Sequence, residues 1–191
     1  MLKQNELQVL ELLFDDLTSK YTIHSLSEKL NQKYPQTFRI VKELENKKLI
    51  ILETIGNSKV ISLDFENFHE EYIIVEISRT KKTNSKITKI IEILRKIENV
   101  PTSILFGSFA NNTNKKDSDI DLLFLTENEK IQREIKNKLS LYNIDFNFIS
   151  KENLLDLFFS KGLNLGQEIL KNHKVLTGFE NFIQLLNKKN G

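Results

Sequence analysis

Apolar residues in the first fifty positions recur at helical spacing in three separate stretches. Leu7, Leu10, Phe14 and Leu17 fall at i, i+3, i+7 and i+10, with Glu6, Glu11 and Asp15 between them, which predicts an amphipathic helix. Tyr21-Thr22-Ile23 reads as a short extended stretch, followed by a helix through Leu26 and Leu30. Ser25-Leu-Ser-Glu28 has the spacing of a capping box at the start of that helix. Asn31-Gln-Lys-Tyr34 predicts a turn. Pro35 suits the first residue of a third helix, where its missing N–H costs nothing, and Phe38, Val41 and Leu44 form the expected buried stripe. Two apolar runs, Leu49-Ile-Ile-Leu52 and Lys59-Val-Ile-Ser-Leu63, flank Gly56-Asn57-Ser58 and read as a β-hairpin.

The pattern then changes twice. Between Phe65 and Ser78 the periodicity is mixed, with Phe68, Tyr72, Val75 and Ile77 apolar, and the segment reads as a connecting helix or strand. The polar, basic Arg79-Thr-Lys-Lys-Thr-Asn-Ser85 marks the expected boundary. Ile87, Ile90, Ile91, Leu94 and Ile97 predict a helix stopped by Pro101. Strand patterns follow at Ser103–Phe106, Ile120–Leu125 and Ile144–Ile149, with a polar helix over about Glu127–Leu141 before the third. From Lys151 onward the chain reads as helical, apart from a short extended Lys174-Val-Leu-Thr177. Strands separated by helices predict an α/β (α+β) domain, a small mixed sheet flanked by helices. The expected organisation is residues 1–64, a connecting segment 65–85, and a second domain over 86–191 with a helical tail.

Composition narrows the function classes. The 191 residues hold 28 Lys+Arg against 26 Asp+Glu, a formal net charge of +2, which argues against a histone-like coat for nucleic acid. The absence of Cys excludes disulfide scaffolds, Cys-ligated zinc and thiol nucleophiles. No apolar run is long enough to span a membrane, and Met1–Leu7 lacks the apolar core of a signal peptide, so a cytoplasmic protein with no membrane partner is expected.

The candidate chemistry lies in Phe106-Gly-Ser-Phe-Ala110 and Asp117-Ser-Asp-Ile-Asp-Leu-Leu-Phe124. Residues two apart in a strand share a face, so Asp119 and Asp121 project together while Ile120 and Leu122 enter the core. Paired carboxylates repel each other and are tolerated mainly beside a cation; hard oxygen ligands suit Mg²⁺. Gly107 allows close approach of a phosphate, and Ser108 offers its N–H and hydroxyl to phosphate oxygens. Ten residues separate Ser108 from Asp119, enough for a short helix and a return into the second strand. If the strand Ile144–Ile149 lies beside it, Asp145 becomes a third carboxylate of a two-cation centre. Such a centre clamps the attacking and leaving oxygens of an in-line displacement, and Asp145 could take the proton of the attacking hydroxyl.

Gly-Ser-Phe-Ala, then Ser-Asp-Ile-Asp-Leu, then a later strand aspartate resembles the signature of the DNA polymerase beta-like nucleotidyltransferases. The likeness is strongest to the minimal nucleotidyltransferases of prokaryotes and covers roughly Ile87 to Phe182. The resemblance implies Gly107 and Ser108 at a nucleoside triphosphate, ATP foremost. It implies Asp119 and Asp121 as ligands of two Mg²⁺ or Mn²⁺ ions, and Asp145 as the third catalytic carboxylate and metal ligand. Many of these proteins carry Arg-Gly where this chain has Asn111-Asn112, so Lys115 and Lys116 are the candidates for the missing positive charge at the nucleotide. Small members act on protein partners as antitoxins modifying a toxin; others act on antibiotics or RNA ends. At this chain length, with no room for template-gripping domains, templated polymerisation is not expected.

In the first sixty residues, three helices, a tight turn before the third and a terminal hairpin resemble winged-helix transcription regulators. In that family the third helix enters the major groove and the hairpin touches the backbone. Gln36, Thr37, Arg39 and Lys42 are then the candidate contacts to double-stranded DNA, with Lys59 beside the wing turn. Lys29, Lys33, Arg39, Lys42, Lys47 and Lys48 stand against Glu43 and Glu45, a local +4. The same module also serves for protein interaction or dimerisation, which leaves a homodimer open. Arg79, Lys81, Lys82, Lys86 and Lys89 extend a basic track or solvate a linker. His24, His69 and His173 have no metal-ligand spacing, and no catalytic role is expected of them.

The combined expectation is a nucleotidyltransferase joined to a DNA-binding module, an antitoxin or regulator. The alternative is a non-catalytic DNA-binding transcription regulator that uses the second domain to sense a nucleotide or a partner.

Overall fold

The computed structural model describes residues 1–67 and 69–190; the expected apolar contact of Phe68 lies outside the described residues. The chain opens with three helices, α1 (Gln4–Asp15), α2 (Ile23–Lys29) and α3 (Tyr34–Asn46). Strand β1 (Tyr21–Thr22) and the hairpin β2 (Ile50–Ile55) and β3 (Ser58–Leu63) form an antiparallel sheet ordered β1-β3-β2. Gly56, at φ +59°, supplies the positive φ that the two-residue hairpin turn requires.

Sequence periodicity located these helices, but their buried faces are rotated from the expected ones. In α1 the core side is Val9, Leu10, Leu13 and Phe14; Leu7 and Leu17 are half-buried at its margins. Glu6 is also buried there, satisfied by the Lys3 N–H and by Lys47 at 2.6 Å. The second helix starts three residues before the expected Ser25 cap: Thr22 caps it, its hydroxyl accepting from the Ser25 N–H while Ser25 Oγ accepts from the Thr22 N–H. In α3 the buried stripe is Thr37, Ile40, Val41 and Leu44, and Phe38 is 40% exposed. Thr37 therefore leaves the set of DNA-contact candidates: it faces the core, with its hydroxyl toward Gln32 Oε1.

The connecting segment is a helix, α4 (Glu70–Lys81). Tyr72 is fully buried, edge-on to Phe14 and Phe65, and its hydroxyl proton is shared between Leu49 O at 2.6 Å and Asp64 O at 2.7 Å. After it come α5 (Ser85–Leu94), β4 (Ser103–Phe106), the one-turn α6 (Gly107–Ala110), β5 (Ile120–Leu125), α7 (Glu129–Lys138) and β6 (Ile144–Ile149). The tail is α8 (Lys151–Phe159), α9 (Leu165–Lys171), β7 (His173–Thr177) and α10 (Phe179–Asn190). The three central strands match the bounds expected from the sequence. The helix before β4 ends at Leu94, seven residues ahead of Pro101, and Asn99 turns the chain at φ +52°.

The second sheet is mixed, ordered β6-β5-β4-β7, with β5 and β6 parallel and the other pairs antiparallel. One face packs Leu105, Leu122, Phe124 and Leu176 against Ile87, Ile90 and Leu94 of α5 and Ile135 of α7. The other packs Ile104, Leu123, Leu125 and Val175 into a cluster that includes Phe158, Phe182, Tyr72 and Phe14, so the apolar core runs on from the sheet to α1.

That continuity is reinforced by buried charge. Arg79, read from sequence as part of a basic track or a solvated linker, is only 2% exposed. Its guanidinium donates to Glu76, to Asp15 Oδ1 at 3.1 Å and to the His173 carbonyl at 2.6 Å. Glu76, fully buried, also accepts from the Val175 N–H, so α4, α1 and β7 meet at one ion cluster. Burial opposes ionisation of Glu76, but the Arg79 charge and the Val175 N–H hold the carboxyl below its ordinary range.

His173 is buried with its Nε2 3.2 Å from Glu76 Oε1 but out of line for a hydrogen bond. Burial, then the Arg79 charge, hold its imidazole below the ordinary value although Glu76 pulls it up. A base depressed in the folded state binds its proton more readily when unfolded. Stability is then present in full above the ordinary histidine value of about 6.5 and falls as pH drops below it. The thermal stability of the wild type, read as Tm, is therefore expected to fall between pH 7 and pH 5, with a shallower decline in His173→Gln.

Candidate functional site

The pairing of the central strands determines where the carboxylates lie. Asp121 is the residue of β5 that faces Phe106, the last residue of β4, on one side and Asp145 of β6 on the other. The turn after Phe106 consequently folds directly over the Asp121 side chain. Gly107 sits there at φ +64°, and a Cβ on it would lie 2.1 Å from Asp121 Oδ2. Both the conformation and the space demand glycine. Gly107→Ala is expected to cost about 1–3 kcal/mol of stability through strain and overpacking, measured by denaturant unfolding, and to displace the Asp121 carboxylate.

Asp119 lies one residue before β5 and is exposed, its Oδ1 accepting from Asn143 Nδ2 at 3.2 Å. Asp145 is exposed, its Oδ2 accepting from Asn147 Nδ2 at 3.3 Å. Burial, then the charges of Asp145, Glu168 and Asp119, push the Asp121 carboxyl above its ordinary value. No described residue forms an ion pair with Asp119, Asp121, Asp145 or Glu168. The donor chemistry therefore suits a hard divalent cation. The side chains are not gathered around one point: among the described residues, no three carboxylates or imidazoles are close enough to hold one ion.

Beside this cluster, Gly107 and Ser108 line a cleft of about 690 Å³ with Asn111, Gln167, Glu168 and Lys171. Asn172, which follows α9, donates from Nδ2 to the Gly107 carbonyl at 2.8 Å and fixes the turn from the far side. The Thr113 N–H donates to the Ser108 carbonyl at 2.9 Å. Lys115 and Lys116 are exposed in the loop before β5 and are not among the residues lining the cleft; the lysine that lines it is Lys171. Glu168, Lys171 and Asn172 were not singled out from the sequence. They sit in a helical tail without a motif, and only the β7–β4 pairing brings them to the Gly107 turn.

In the N-terminal module, Gln36, Arg39 and Lys59 are exposed, and Lys42 is half-buried in a 2.6 Å ion pair with Glu45. Lys42 is thus partly neutralised, and Arg39 is the strongest of the four for contacting an anion.

The second sheet thus sets the paired carboxylates Asp121 and Asp145 beside a glycine-serine turn. Residues 88–180 match the family model described as polymerase beta, nucleotidyltransferase, a span just under half of the chain. A solved structure described as a toxin-antitoxin with AMP-PNP is 26% identical over 53% of this chain and 81% of its own, with a TM-score of 0.37. Among curated proteins, none matches the chain.

Proposed function

We propose that the protein is a metal-dependent nucleotidyltransferase that moves a nucleoside monophosphate from a nucleoside triphosphate, ATP foremost, to an acceptor hydroxyl. The observation that carries this reading is Asp121, in register with Asp145 on the neighbouring strand and lying directly beneath the Gly107 turn, where a Cβ would meet its carboxylate. In the reaction the acceptor oxygen bonds to the α-phosphorus, the bond from that phosphorus to the bridging oxygen breaks, and pyrophosphate leaves. Ser108 and the backbone of the turn position the triphosphate, and Asp145 takes the hydroxyl proton. Asp119, Asp121 and Asp145 would hold two Mg²⁺ or Mn²⁺ ions, which when bound supply charge neutralisation at the attacking and leaving oxygens. The raised carboxyl of Asp121 supports this assignment, because a cation offsets both the burial and the repulsion by Asp145, Glu168 and Asp119 that raise it.

The N-terminal module, residues 1–64, is proposed as a winged helix that contacts double-stranded DNA, supported by its three helices and β1-β3-β2 sheet and by the exposed Arg39 and Gln36 on α3. Replacing Arg39 by Ala is expected to weaken duplex binding across sequences and reduce the salt slope by about one; electrophoretic mobility shifts at several salt concentrations read both. An unchanged slope would remove Arg39 from the interface.

One observation favours a second reading. Asn111-Asn112 stand where many minimal nucleotidyltransferases carry Arg-Gly, which would suit a regulator that binds nucleotide without turnover. Incubation with labelled triphosphate, Mg²⁺ or Mn²⁺ and protein, RNA or small-molecule acceptors separates the two. Pyrophosphate release that is absent from Asp119→Ala/Asp121→Ala supports the enzyme. No release with any acceptor, together with tight duplex binding, supports the regulator.

A further inference from the structure

A second cavity, of about 320 Å³, lies between Asp15 at the end of α1, the turn at Asn111 and Asn112, and the Lys171–Lys174 corner where α9 passes into β7. Asn111, Lys171 and Asn172 line both this cavity and the Gly107-Ser108 cleft, so the two adjoin. Lys174 is only 5% exposed, yet its ammonium forms no ion pair or side-chain hydrogen bond with any described residue. Lys171 is likewise unpaired among the described residues. Lys47 and Lys82, by contrast, each reach a buried or nearly buried glutamate at 2.6 Å. The cavity's carboxylate, Asp15, is already engaged by Arg79. Asn111 uses its Oδ1 to accept from the Thr113 N–H, and its amide nitrogen has no partner among the described residues.

The stem of Lys174 is buried while its ammonium is presented to the cavity, where an unpaired cation is a ready donor to an anion. Burial, then the Arg79 charge, hold Lys174 below its ordinary value, while Asp15 and Glu76 pull it up without pairing with it. What surrounds the cavity is therefore two unpaired ammonium groups and a free amide N–H₂, a donor set for an oxyanion with several acceptor oxygens.

We propose that Lys171 and Lys174 form a phosphate-binding site at the inner end of the Gly107-Ser108 cleft. Its ligand is a phosphate group, carried by the polyphosphate tail of a triphosphate lying in the cleft or by free pyrophosphate. Only the carrier's identity rests on the nucleotidyltransferase reading. The site also supplies the positive charge that Asn111 and Asn112 do not.

Calorimetric titration of the full chain with pyrophosphate, ATP and AMP tests this. Lys174→Met keeps the apolar stem, and Lys171→Ala acts at an exposed position, so both variants are expected to fold. Each is expected to weaken pyrophosphate and ATP binding about tenfold or more while leaving any AMP affinity unchanged. Lysine-dependent binding of pyrophosphate without ATP binding supports the site and counts against the nucleotide reading. ATP binding that is indifferent to both lysines overturns the site and leaves the nucleotide reading in place. Failure of the wild type to bind pyrophosphate also overturns it. Should Lys174→Met unfold, Lys171→Ala and the pyrophosphate titration of the wild type decide alone.

Discussion

Replacing Asp121 by Asn is expected to lower nucleotide transfer about a thousandfold or more while leaving the protein folded. The size follows from where the residue sits. Asp121 faces Asp145 across β5–β6 and lies under the Gly107 turn, so the same carboxylate would bind a cation and border the triphosphate. Removing a charged group from a reacting centre commonly costs 10²–10⁴-fold. Its effect on stability should have the opposite sign. The Asp121 carboxyl is pushed up by burial and by Asp145, Glu168 and Asp119, so at neutral pH its ionised form works against the fold. The amide removes that repulsion and keeps the shape. Thermal unfolding without metal should therefore give Asp121→Asn a Tm equal to or above the wild type, and added Mg²⁺ should raise the Tm of the wild type only. Loss of activity with a lowered Tm would instead mark Asp121 as a structural residue.

Arg79→Ala has the largest expected effect on folding, about 3–5 kcal/mol. The guanidinium holds Glu76, Asp15 and the His173 carbonyl together; without it the Glu76 carboxylate, fully buried, loses its principal counter-charge. Breaking a buried pair from one side costs this much because the remaining charge stays in the interior. Arg79→Lys should recover little, since one ammonium cannot reproduce three divergent N–H contacts. Urea unfolding measures the loss. Because His173 pairs with Phe106 and follows the Asn172 that pins Gly107, the variant should also loosen the turn and reduce transfer even when refolded at low temperature.

The strands β4, β5 and β6 were legible in the sequence to the residue, β4 and β5 as short, mostly apolar runs that are buried and β6 as an alternation of apolar and polar residues at a half-buried edge. The helices were legible as elements and less so in their faces. Thr37 occupies a core position on α3 because a threonine can satisfy its hydroxyl locally, here toward Gln32, while Phe38 projects outward beside Tyr34. Periodicity alone ranks the phenylalanine as the buried one. Arg79 misled for the converse reason: a basic residue in a polar run reads as solvated, and nothing local indicates that Glu76, Asp15 and His173 converge on it from three elements. In the candidate site, the Gly-Ser and Asp-x-Asp segments carried a signal at fixed spacing. Glu168, Lys171, Asn172 and Lys174 carried none, since their position depends on a pairing between segments some seventy residues apart.

The central claim is that the bond broken lies at the α-phosphorus. Parallel reactions with α-labelled and γ-labelled triphosphate, run with Mg²⁺ and an acceptor, test this most directly. The α-label is expected to move onto the acceptor and the γ-label to appear as pyrophosphate, and both signals to vanish in Asp119→Ala/Asp121→Ala. Transfer of the γ-label to the acceptor, or transfer of the α-label that persists without the two aspartates, would contradict it.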